Sequence, residues 1–177
     1  MVVRKPLLLD ACIAINLLAT GRIEDIAKVL DLRFLMALQA AKECGEVRGF
    51  EHDQVVHARG AGPEELHFAD VVTLDAPEVD VYVELARDID DGEAATLAIA
   101  RFRSLHVATD DRKARRVAKE LGLDMPIGTT VILRDYAAGA GLTASEIALA
   151  LRSVRDLANY VPRQSDEHYT WWQSSIS

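Results

Sequence analysis

The sequence predicts a three-layer α/β/α sandwich built on a mostly parallel sheet of four or five strands. Short apolar runs of strand length alternate with segments of helical periodicity, the pattern of successive βαβ units. The first run, Pro6-Leu7-Leu8-Leu9, ends in Asp10, and a helical pattern begins at once. A later run, Leu105-His106-Val107-Ala108-Thr109, ends the same way in Asp110-Asp111. In open parallel sheets ligands sit just beyond the carboxyl ends of strands, so both carboxylate positions lie where such a sheet presents chemistry. Taken singly, Asp10 reads equally well as a helix N-cap.

Residues 11–18 read as a helix that stops near Thr20-Gly21. Ile23, Ile26, Ala27 and Leu30 give a second short helix, and residues 33–37 a second strand. A helix carrying Glu43 is expected over 38–47. Residues 48–63 are the least regular, and His52, His57 and His67 show no metal-ligand spacing, which favours surface or capping roles. Residues 71–74 form a short strand. A helix is expected over 78–88, with Glu78, Asp80, Glu84 and Asp88 on a solvated face. Asp90 and Glu93 fit a capping box opening a helix over 94–103. After the strand at 105–109 come a helix over 112–121, an edge strand at 126–129 and a helix over 130–138. Thr143-Ala144-Ser145-Glu146 is a second capping box, opening a helix to about Tyr160. The chain is thus one domain over 1–160 with a tail at 161–177 that carries Tyr169, Trp171 and Trp172.

Composition sets limits on function. The 177 residues are half apolar and 27% charged, with a net charge of −8. That balance argues against broad electrostatic binding to nucleic acid or anionic membrane, though not against a nuclease whose basic residues are local. Arg4-Lys5 and the apolar stretch to Ala19 are interrupted by Asp10 and Asn16, so no secretory leader is read there. Cys12 and Cys44 show no CxxC spacing and are expected to be reduced and buried in a cytoplasmic protein.

Asp10, Glu43, Glu93 and Asp110/Asp111 lie where a parallel sheet gathers side chains at one edge. Converging carboxylates stay ionised together only if cations neutralise them. All-oxygen donors favour Mg²⁺ or Mn²⁺ over zinc. Such a site suits phosphodiester hydrolysis, because bound metal lowers the pKa of a water and stabilises the attacking and leaving oxygens. Arg112, Arg115, Arg116 and Lys119 recur at i, i+3, i+4 and i+7, a basic stripe that starts beside the acids and would track backbone phosphates. Read by pattern alone, the stripe is equally an ordinary solvated face.

Four segments resemble the PIN-domain family, metal-dependent ribonucleases that include the VapC-type toxins of prokaryotic toxin–antitoxin pairs. They are Leu8-Leu9-Asp10-Ala11-Cys12, Glu43 in its helix, Asp91-Gly92-Glu93-Ala94-Ala95-Thr96-Leu97-Ala98, and Thr109-Asp110-Asp111-Arg112-Lys113-Ala114-Arg115. The resemblance spans residues 6 to about 142 and is closest to short prokaryotic members with Gly-Glu-Ala and Asp-Asp motifs. It implies that Asp10 is the central metal ligand, with Glu43 and Glu93 as further acids acting directly or through water. The fourth position is open between Asp110 and Asp111. Thr109 would give its hydroxyl to a ligand carboxylate or to phosphate. Many members carry Asp where this chain has Glu93, whose longer arm changes the approach to a metal. The resemblance further implies an RNA substrate, a homodimer and a small antitoxin that blocks the acidic cleft. The alternatives are a non-catalytic PIN-like module that binds RNA or protein, and a doubly wound phosphoacceptor or nucleotide domain. The second lacks the Lys after a last strand and any GxGxxG or GxxxxGK[ST] loop.

Overall fold

The computed structural model describes residues 4–44, 46–51, 54–59 and 66–177, with 46–51 and 54–59 described by backbone alone. In chain order the elements are β1 (Lys5–Leu9), α1 (Ala11–Ala19), α2 (Ile23–Val29), β2 (Leu32–Ala37), α3 (Leu38–Glu43), β3 (Glu46–Glu51), β4 (Gln54–Arg59) and β5 (Asp70–Val72). There follow α4 (Ala76–Leu85), α5 (Asp91–Arg103), β6 (His106–Ala108), α6 (Arg112–Glu120), α7 (Thr129–Ala140), α8 (Ala144–Leu157) and α9 (Tyr169–Ser175).

The main sheet has four strands, all parallel, in the order β5-β2-β1-β6. The fold is therefore the three-layer α/β/α architecture that the alternation of runs predicts. A fifth strand survives only as a single parallel bridge between Ala108 and Ile127. The chain builds outward from β1 to β2 and β5, then crosses back to lay β6 on the other side of β1. That reversal is a topological switch point, and the crevice it opens lies at the carboxyl ends of β1 and β6. Leu7, Leu8 and Leu9 are all at most 1% exposed, because helices cover both faces of the central strand.

Helix α5 backs the sheet. Its run of small residues, Ala94, Ala95, Ala98 and Ala100, is buried and lets neighbouring elements approach closely. Thr143 and Glu146 form the expected capping box at α8. Trp172 of α9 is 1% exposed and meets the Tyr160 ring edge-on at 5.7 Å, so α9 packs against the end of α8. No helix among the described residues is long and apolar enough to cross a membrane.

Three expectations need correction. The helix expected over 38–47 stops at Glu43, and residues 46–59 pair instead as an antiparallel hairpin, Glu46 opposite Arg59. Val47, Phe50, Val55 and Val56 favour strand, but the polar residues between them mask the signal. The edge strand at 126–129 gives way because Thr129 already opens α7, which runs through Gly139 to Ala140 and ends at Gly141 in the left-handed region, φ 63°. Glu78 is not solvated. It is 1% exposed, accepts from the Asp75 amide at 2.7 Å, and pairs with the Arg103 guanidinium at 2.7 Å, while Asp80, Glu84 and Asp88 face solvent as expected. His52 lies outside the described residues, as does the His57 side chain, and His67 is exposed.

The Arg103 guanidinium holds the Glu78 carboxyl below the usual carboxylate range. This stabilisation is fully present above the titration range of an unfolded glutamate, roughly pH 4.3, and is lost as pH falls through the lower, folded value. Arg103→Ala strands a buried carboxylate, so urea unfolding at pH 7 should show a loss of about 3 kcal/mol. The gap to the unmodified protein should narrow below pH 4. Equal midpoints at pH 7 would show that the pair contributes nothing.

Candidate active site at the carboxyl edge of the sheet

Asp10 stands in the crevice at the switch point. Its amide donates to the Ala108 carbonyl at 3.0 Å, continuing the β1–β6 ladder one residue beyond the strands. Its carboxylate is 3% exposed. Oδ1 accepts from the Ala11 amide at 2.8 Å, and Oδ2 accepts from the Thr109 hydroxyl at 2.8 Å and the Cys12 thiol at 3.2 Å. Burial pushes its pKa up against these donors, and the Asp111 charge adds to the rise. Asp10 thus caps α1 and faces the other acids; the two readings of it are compatible. The Cys12 thiol is pushed up by burial and by Asp10, so it stays protonated as a donor and is no thiolate ligand. Cys44 is buried and raised to about 12. Both thiols are free.

Glu43 comes from the last residue of α3 and reaches the first turn of α5, where its Oε1 accepts from the Gly92 amide at 3.2 Å. The Gly of the Gly-Glu-Ala motif has a steric reason: a Cβ at 92 would collide with that carboxylate and stand 3.1 Å from the Ala40 Cα. Partial burial raises Glu43, followed by the charge of Asp10, although its side chain keeps an exposed flank. Glu93 is pushed up to about 7, first by burial and then by the charges of Asp111 and Asp10. The capping box expected at Asp90 is not completed, since the Asp90 side chain makes no cap hydrogen bond. Glu93 belongs to the acidic group.

Asp110 and Asp111 differ sharply. Asp110 turns away to pin the start of α7: Oδ1 accepts from the Thr129 amide at 3.0 Å, and Oδ2 accepts from the Thr129 hydroxyl at 2.6 Å and Asn16 at 3.3 Å. Asn16 also donates to the Thr129 hydroxyl at 2.9 Å. Asp111 caps α6 through Oδ1, from the Lys113 and Ala114 amides at 2.7 and 2.8 Å, and its charge is felt by Asp10 and Glu93. Its Oδ2 has no hydrogen-bond partner among the described residues. Thr109 is buried, and of its two expected partners it holds the carboxylate.

The basic stripe divides. Arg115 folds back to donate to the Thr109 carbonyl at 2.9 Å, Arg116 pairs with Glu120 at 3.6 Å, and Arg112 and Lys119 are exposed. Sequence reasoning gave Asn16, Thr129 and Gly92 no role of their own. Gly92 stood only as part of the Gly-Glu-Ala motif and Thr129 only in a Gly-Thr pair of the resemblance, while Asn16 carried no signal.

The donor set suits a hard cation. Glu43, Glu93 and Asp111 offer carboxylate oxygens, and among the described residues none of these acids, nor Asp10, forms an ion pair with Lys or Arg. Also among the described residues, no three Asp, Glu, His or Cys side chains are close enough to ligate one ion directly. Contact with a metal would therefore run partly through water, as Mg²⁺ commonly does.

A family model described as DUF3368, PIN domain, matches residues 8–167 of this chain. No curated protein and no solved structure is matched by it.

Alanine in a helix interior ordinarily stabilises relative to glycine by about 1 kcal/mol. Gly92→Ala should do the reverse, lowering stability by roughly 1–3 kcal/mol through overpacking between α3 and α5. Thermal unfolding reads this directly, and a raised midpoint would show that Glu43 moves aside freely.

Proposed function

The chain belongs to the PIN-domain family, and on that premise we propose that it is a Mg²⁺- or Mn²⁺-dependent endoribonuclease. The observation that supports this most is the unpaired state of the acids: burial raises Asp10, Glu43 and Glu93, the charges of neighbouring acids add to the rise, and among the described residues none of them pairs with Lys or Arg. A divalent cation is the missing counter-charge.

Asp10 would be the central ligand, with Glu43, Glu93 and Asp111 reached in part through water. A bound cation would supply an activated water and charge stabilisation on the leaving oxygen. The protein's own part is orientation. Thr109 and Cys12 fix the Asp10 carboxylate, Gly92 fixes Glu43, and the α6 amides fix Asp111. In this reading Asp110 serves as the brace of α7 and Asp111 takes the fourth position. Single-stranded or looped RNA is the substrate class, since its bases can be splayed away from the cut; Arg112, Arg115, Arg116 and Lys119 lie on the approach. The finer role is that of a toxin in a type II toxin–antitoxin pair, acting in the cytoplasm as a homodimer and silenced by a small antitoxin over the acidic cleft. The free thiols fit a reducing compartment.

Incubated with labelled single-stranded RNA, the protein should cleave in Mg²⁺ or Mn²⁺ and not in EDTA. Asp10→Asn should lose at least ~100-fold in rate, beyond the usual cost of an outer-shell partner. Asp111→Asn keeps a good cap and should lose turnover with little loss of stability. Asp110→Asn should chiefly lower the unfolding midpoint. Metal-independent cleavage, or equal activity in Asp10→Asn, would sink the metal-dependent mechanism at these acids, and no cleavage under any condition would leave a binding module.

A further inference from the structure

Beside the acidic group lies a cavity of about 570 Å³, walled by the start of α6, the 125–131 segment and the 159–167 segment. It is within the usual volume of small-ligand sites. Asp110 forms part of its wall, one residue along the chain from Asp111. Its lining has two characters. Arg112, Arg115 and Arg163 bring three guanidiniums, and the side chains of Arg112 and Arg163 have no ion-pair partner among the described residues. Met125 and Val161 are 61% and 52% exposed, two of the few large apolar side chains left in water, and they stand with the Tyr160 ring on the same cavity.

Three carboxylates share the wall: Asp110 accepts from Thr129 and Asn16 and feels the Arg115 charge, both Asp166 oxygens accept from the Thr130 hydroxyl at 2.9 and 3.0 Å, and Glu167 lies 3.7 Å from His168. Among the described residues none of them pairs with Arg112 or Arg163, so these two guanidiniums stay open to a ligand. Fork-shaped cations beside an aromatic ring and apolar lips fit a nucleotide: planar donors for phosphate oxygens and flat apolar surface for a base.

We propose that this cavity is a nucleotide subsite that holds one residue of single-stranded RNA flanking the cleavage point. Its phosphate lies on Arg112, Arg115 and Arg163, and its base against Tyr160, Val161 and Met125. The proposal rests on the ribonuclease reading and adds to it where the chain beyond the acids is gripped.

The test uses the full chain carrying Asp10→Asn, so that RNA survives, and a fluorescent single-stranded hexaribonucleotide read by anisotropy across a salt series. Adding Arg163→Ala, an exposed position, should weaken binding about tenfold and flatten the slope of log K against log salt by about 0.7, one phosphate contact. Val161→Asp should weaken binding likewise. Lys28→Ala, an exposed cation on α2, should change neither quantity. Parental binding by both cavity variants, or an equal loss from Lys28→Ala, would overturn the subsite. Arg163-dependent binding of a polyglutamate peptide, with no RNA binding, would overturn it in favour of an acidic protein partner. Cleavage by the chain with Asp10 intact separates the two readings. Active protein with indifferent Arg163 removes the subsite alone, and Arg163-dependent binding without cleavage removes the nuclease alone.

Discussion

The hydrogen bond from the Asp10 amide to the Ala108 carbonyl, 3.0 Å long, is the constraint on which the site depends. It carries the β1–β6 pairing past the ends of both strands and so fixes Asp10 in register with Thr109, Asp110 and Asp111. Residues about a hundred positions apart in sequence therefore meet through backbone geometry before any side chain interacts. The order β5-β2-β1-β6 makes this the one junction in the sheet where adjacent strands lead into helices on diverging paths, leaving room above the carboxyl ends.

The molecule treats its buried acids in two ways. Glu78 is almost wholly inaccessible and is matched by the Arg103 guanidinium at 2.7 Å, with further contacts to Asp75 and the Thr73 carbonyl. Asp10 is just as deeply buried, yet it is held by an amide, a hydroxyl and a thiol, with no cation. Neutral donors orient a carboxylate without satisfying its charge, so burial still raises its pKa. Arginine closes one buried carboxylate off, while hydroxyl and thiol leave the other in position and still in need of positive charge.

Much of this arrangement was legible in the chain, and the part that was not has a physical reason. Asp10 and the Asp110-Asp111 pair could be placed because a strand ends where its apolar run meets a polar residue, and parallel topology puts such ends together. Glu93 was legible as a candidate acid of the site, but its local pattern with Asp90 pointed equally to a capping box; in the fold the Asp90 side chain makes no cap hydrogen bond, and Glu93 is half-buried within reach of the Asp111 and Asp10 charges. Glu78 was misread because a helical acidic stripe looks the same whether or not an arginine arrives from a helix 25 residues on. The hairpin at 46–59 was missed because its stability comes from cross-strand pairing, which is non-local to either segment taken alone. The pairing of Asn16 with Thr129 could not be read at all, since it is a contact 113 residues apart between two ordinary polar side chains.

Adjacent identical residues acquire opposite roles here through chain direction. At the end of β6 the backbone leaves the sheet, so consecutive side chains point to different sides. Asp110 meets the start of α7, whose first amide and hydroxyl take up its oxygens. Asp111 meets the start of α6, whose amides take only one oxygen, and its charge is felt by Asp10 and Glu93. Both carboxylates therefore sit at helix N-termini, where partial positive charge favours them. They differ in how much of that charge reaches the crevice. A helix that engages both oxygens turns an acid into a brace, and a helix that engages one leaves an oriented carboxylate with a free oxygen. The second outcome needs the first, because α7 held by Asp110 fixes the end of β6 from which Asp111 projects.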